Sequence, residues 1–169
     1  MTDAETETRE PLVREDAHPR AAAALSDGFF WHTHDDGAPL GSETGADTLA
    51  AFRDFRAERP GEGPLVLLSE LLQRWEIADA AWDAVNLGDV VEAGAEDEYS
   101  LLARDEVILA LAFSQLVDEG RVDEEVRRRA VLATTRQALP PLLLPWGDKA
   151  LERATRLERM KQVLSRPWP

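Results

Sequence analysis

Apolar residues recur at helical spacing through most of the chain, and no segment alternates long enough to make a strand. Thr48, Leu49, Phe52 and Phe55 form one stripe. Thr44 is placed to cap that helix, with Asp47 three residues on as a weaker capping box. Arg53, Arg56 and Arg59 complement its negative end, and Pro60 with "GEGP" stops it. Pro64 suits a first helical turn, and Leu65, Leu68, Leu72 and Trp75 make the buried face of a second helix. From Asp105, "DEVILALAFSQLVDEG" is apolar on nearly every side. A helix of that kind is surrounded by others, so it is predicted to be central and to end at Gly120. "VDEEVRRRAVLATTRQAL" follows as a helix with acids first and arginines later. "PPLLLPWGD" reads as a rigid apolar connector, and a last helix is predicted from Asp148 to Ser165, with Ala150, Ala154, Leu157 and Leu164 inward.

The remaining segments carry weaker signals. "EIADAAWDAVNLGDVVEAGAEDEYS" predicts a short helical turn around Trp82 and then an acidic loop. "HPRAAAALSDG" predicts a short helix with proline in its first turn, closed by Gly28. Residues 1–17 offer almost nothing to bury and read as a disordered acidic tail. The expected architecture is all-α: one compact domain, residues 18–169, with about five to six helices bundled around the buried central one.

Composition adds bounds. The chain has 169 residues, 44% of them hydrophobic, enough for a real core. It has no cysteine, which removes disulfides, thiolate metal sites and cysteine nucleophiles. No apolar run reaches the ~18 residues of a membrane span. The opening "MTDAETETREPLV" resembles neither a signal nor a transit peptide, so a cytoplasmic location is expected. Residues 1–100 hold 23 acids against 7 bases, and residues 101–169 hold 10 against 12. The net charge of −14 repels phosphate backbones, which argues against nucleic acid and suits a basic protein partner, a cation or plain solubility.

One short stretch concentrates titratable groups. "FFWHTHDDGAPLGSETG" places His32, His34, Asp35 and Asp36 together, just before a helix start. Imidazoles and carboxylates can divide general acid and base roles, and His32, His34 and Asp35 could instead hold a divalent cation. In an extended segment His32 and His34 would share a face. Trp31, Glu43, Asp47, Phe52 and Trp75 are candidate ligand-binding residues around it, with Trp31, Phe52 and Trp75 lining a pocket between helices. The same residue types also make an ordinary turn feeding a capped helix, and the spacing matches no established metal signature. Ser114, Gln115, Arg136 and Gln137 read as hydrogen-bonded core residues, and a buried arginine would be an informative ion pair. Trp75, Trp82, Trp146 and Trp168 read as packing residues or interface anchors, and His18 as part of the solvated tail.

"FFWHTHDDGAPLGSETGADTLAAFRDFR" and "EVILALAFSQLVDEGRVDEEVRRRAVLATTRQALPPLLLP" resemble the YfeS-type family of small bacterial proteins. Trp31, Asp36, Pro39, Gly41, Glu43, Gly45, Ala46 and Asp47 fit that family's outline of an aromatic start, an acidic stretch, a Pro–aromatic–Gly turn and a helix. His32 stands where the family has an acid, and Leu40 where it has an aromatic. The resemblance implies a compact helical bacterial domain over roughly residues 28–165 and implies no reaction, the family being uncharacterised.

Two functional readings follow from the residues. One is a non-enzymatic binding or interaction protein, of immunity, regulatory or accessory type, whose acidic half meets a basic partner or a small-molecule ligand. The other is a small enzyme, cofactor-free or assisted by a divalent cation, using the His/Asp cluster for acid–base chemistry, for instance in specialised metabolism. Neither reading requires a cofactor.

Overall fold

Helix α4, Leu87–Glu119, is the axis of the molecule, as the all-round apolar pattern of its second half demands. The computed structural model describes residues 12–169, and those residues contain helices and no strand. Val107, Ile108, Ala110, Leu111, Ala112, Phe113 and Leu116 have no exposure at all. Before α4 come α1 (Pro19–Ala24), α2 (Glu43–Glu58) and α3 (Pro64–Arg74). After it come α5 (Glu124–Gln137), the single turn α6 (Pro140–Leu143) and α7 (Ala150–Leu164). The helices α1, α2, α3 and α5 all pack on α4, and α7 packs on α5.

Several boundaries differ from the sequence pattern for identifiable reasons. Ser42, not Thr44, caps α2, its hydroxyl accepting from the Gly45 N–H at 3.0 Å. The segment expected as an acidic loop is the first half of α4. There Asn86 caps the helix start, and Asp97, with non-helical φ −157°, accepts from the Ser100 N–H at 3.0 Å and so recaps the second half. Local capping thus rescues a helix whose own apolar face is weak. Gly28 does not close α1, which ends at Leu25; it opens a short 3-10 turn, Gly28–Trp31.

The expected tail runs over residues 1–17. Residues 1–11 lie outside the described residues, but 12–17 are structured: Leu12 packs on the core and Arg14 donates two hydrogen bonds to the Ala22 carbonyl. His18 is likewise no part of a solvated tail. Its N–H donates to the Val117 carbonyl at 2.8 Å, and its ring accepts from the Arg20 N–H. That ring also fills the space beside Gly120, where a Cβ would lie 2.2 Å from Nδ1. Gly120 itself has φ +64°, the left-handed conformation that ends α4.

A buried polar network joins α4 to α5. Asp105, 1% exposed, receives the Arg136 guanidinium through two bonds of 2.7 and 2.9 Å, and the Gln137 amide at 2.6 Å. Arg136 has no exposure and also donates to the carbonyls of Trp82 and Ala84. Arg104 donates to the Ala80 carbonyl, and Arg104 and Arg129 both lie over the Trp82 ring. The irregular segment between α3 and α4 is therefore held by guanidinium groups, with Trp82 buried against them. Burial lowers the Arg104 pKa, against the pull of Asp105.

Candidate functional site

The loop from His32 to Gly41 is a sequence of tight turns. The Asp35 N–H donates to the Gly41 carbonyl, the Ala38 N–H to the Asp35 carbonyl, and the Gly41 N–H to the Ala38 carbonyl. A Cβ on Gly41 would stand 2.4 Å from the Asp35 carbonyl oxygen, and one on Gly45 would stand 2.6 Å from that of Pro39. Both glycines are there because backbone passes too close for any side chain. His34 takes φ +60°, so the segment is not extended and His32 and His34 are not related as neighbours on a strand.

Asp35 is the hub of the loop. Its Oδ1 accepts from the Gly37 N–H at 2.9 Å, and its Oδ2 accepts from Arg156 Nη1 at 2.9 Å and lies 3.0 Å from His32 Nδ1. Burial alone would raise this carboxyl, but the bonds from His32, Arg156 and Gly37, with the Arg156 charge, outweigh it and hold the group at about 2. Asp35 is thus a fixed anion that ties the loop to α7. Arg159, one turn further along α7, does the same for Asp27 at 2.7 Å.

Two adjoining cavities flank this anchor. The larger, 810 Å³, lies between the loop, with His32, His34, Asp35 and Asp36, and the start of α7, with Lys149, Arg153 and Arg156. The second, 450 Å³, lies between the start of α2, the outer side of α4 and the end of α5. Asp36, Pro145, Trp146 and Arg153 line both. Arg153 lies 4.6 Å from the Trp146 ring centroid, and its buried Nε has no hydrogen-bond partner. Burial lowers its pKa to about 10, with Glu106 opposing the shift.

The structure brings His32, His34, Asp35 and Asp36 to one cavity, and Glu43 to the rim of the other. Trp31, Phe52 and Trp75 line neither. Trp31 donates its indole N–H to the Leu25 carbonyl, Phe52 is 1% exposed in the core, and Trp75 closes α3. Asp47 sits on the exposed side of α2. Among the described residues no group of three or more His, Asp or Glu is arranged to hold a metal ion, so His32, His34 and Asp35 do not converge as a ligand set. The geometric reason is that Asp35 is turned onto Arg156 and Gly37. Residues not singled out from the sequence complete the site: Arg153, Arg156, Trp146 and Lys149. The spacing of Arg153, Arg156 and Arg159, three apart along α7, is a signal that points to the two arginines; nothing comparable in the sequence points to Trp146 or Lys149.

The chain is 25% identical over 136 residues to the uncharacterised protein YfeS of Escherichia coli (strain K12). It resembles YfeS. The match covers 78% of this chain and 54% of the relative, so the chain spans about half the length of the curated relative that it matches. No family model and no solved structure matches the chain. Among the described residues no helix is long and apolar enough to cross a membrane.

Proposed function

We propose that this protein is a non-enzymatic binding protein, and that the first half of α4 is the face on which a basic protein partner docks. The observation that carries this reading is the pairing of charge and apolar exposure there. Residues 87–103 contain five acids and no lysine or arginine. The same stretch exposes Leu87, Val91, Tyr99 and Leu102, at 49%, 55%, 65% and 38%. Acids surrounding apolar anchors give both steering and contact area to a cationic, amphipathic partner surface.

A helical peptide of lysines and leucines is a sufficient probe. Binding should weaken with salt, and reversing Glu92 and Glu96 to lysine should reduce affinity by about tenfold or more. Reversal of Asp54 and Glu58, which are equally exposed on α2, should have a smaller effect. Equal losses from both pairs would reduce the interaction to net charge and remove the proposed face.

A second reading, an acid–base enzyme, is favoured by one contact: the His32 ring bonded at 3.0 Å to a carboxylate that Arg156 and Gly37 hold in place. An imidazole fixed through Nδ1 presents Nε2 as a general base. Hydrolysis of p-nitrophenyl acetate should then fall about a hundredfold in His32→Gln. Equal rates in the two proteins count against catalysis.

A further inference from the structure

The second cavity is chemically lopsided. Asp36, Glu43, Glu98 and Glu106 supply four carboxylates, Leu102, Leu109, Leu142 and Pro141 supply apolar walls, and Arg153 is the one cation among its lining residues. An acidic wall alone specifies nothing, but Gln137 adds an independent constraint. This side chain is 6% exposed and lines the cavity. A carboxylate only accepts, so the amide nitrogen of Gln137 is the end that meets Asp105, at 2.6 Å. Its carbonyl oxygen makes no hydrogen bond among the described residues and is not one of the sealed polar atoms, so it is an accessible acceptor on a residue that lines an acidic, partly apolar cavity. Such an acceptor can take an N–H donor from a molecule that enters the cavity.

Arg153 marks the other end. It lies where the two cavities meet, stacked on Trp146, and makes no ion pair among the described residues in a chain with 33 acids. The neighbouring Arg156 is paired with both Asp35 and Glu152, so Arg153 is the guanidinium on α7 left available to an incoming anion. A guanidinium held against an aromatic ring presents its N–H edge to a carboxylate. Each of the two cavities falls in the size range of small-molecule sites.

We propose that this two-lobed cleft binds a dipolar organic ligand, with an ammonium or guanidinium on an aliphatic stem in the acidic lobe and a carboxylate at Arg153. Glu98 and Glu106 neutralise the cation, the Gln137 carbonyl accepts one of its hydrogens, and Leu102 and Leu142 cover the stem. This assignment does not depend on the docking face of α4 being used by a protein.

Calorimetric titration with ε-aminocaproate, amylamine and caproate tests it. The dipolar compound should bind with one-to-one stoichiometry and at least about tenfold more tightly than either single-ended compound. Arg153→Gln should abolish the preference for ε-aminocaproate over amylamine without preventing amylamine binding. Glu98→Gln with Glu106→Gln should weaken both amines by about tenfold or more and leave caproate unaffected. Thermal melts confirm that each variant is folded. A free basic amino acid and the C-terminal lysine of a peptide share this chemistry, and Nα-acetyllysine against an acetylated tripeptide ending in lysine separates those sources. Absence of saturable binding by ε-aminocaproate, or affinities unmoved by the Arg153 and glutamate changes, would overturn the site.

Discussion

Asp35 shows how one side chain does structural and electrostatic work together. Its carboxyl is held at about 2, below the ordinary carboxylate value of about 3.9. A depressed folded-state pKa contributes stability that is complete above the unfolded value and is lost as pH falls through the folded one. Asp35→Asn keeps the shape but removes the charge that faces Arg156. The variant should therefore be less stable than the parent at neutral pH, by about 1–2 kcal/mol in urea unfolding, and the gap should close between about pH 4 and pH 2. A gap of the same size at pH 2 would mean that packing, not charge, is the role of this side chain. At this scale the sequence disclosed the cluster but not its wiring. Nothing in "HTHDD" points to Arg156, which lies 121 residues away.

At the scale of elements, α4 is built from two halves with different physics. The second half is held by burial, and Leu111→Ala should cost about 2–5 kcal/mol through the cavity it leaves. The Asp105–Arg136–Gln137 network holds the same helix to α5 and to the segment around Trp82. Asp105→Ala would leave Arg136 and Arg104 as buried cations without their counter-ion, and should cost about 3–5 kcal/mol, with a changed near-ultraviolet spectrum of Trp82. A loss under about 1 kcal/mol in guanidinium unfolding would show that the two arginines do not need this carboxylate. The first half of α4 rests instead on the caps at Asn86 and Asp97. Those caps explain why its acidic sequence reads as a loop: the helix is stabilised at its ends, while its outer face stays exposed.

Across the whole molecule, the division of charge seen along the chain becomes a division of surface roles. The acidic first hundred residues supply the exposed acids of α4's first half and, with Glu106, the carboxylates of the second cavity, while arginines from residues 101–169 bind Asp27, Asp35 and Asp83 of that acidic part and Asp105 of their own. The sequence by itself determined the all-α class, the central helix and its glycine stop, the proline start of α3, and the resemblance to YfeS. These depend on periodicity, on capping chemistry and on residue identity, which act within a few positions of one another. Tertiary structure alone decided which titratable groups meet. It turned Asp35 toward α7, buried Phe52 instead of lining a pocket with it, and placed Arg153 and Gln137 at one cleft with Glu98 and Glu106. The physical reason is range. A helix reports its own buried face in its sequence, but an ion pair or a cavity wall joins residues that only the packing of several helices brings together.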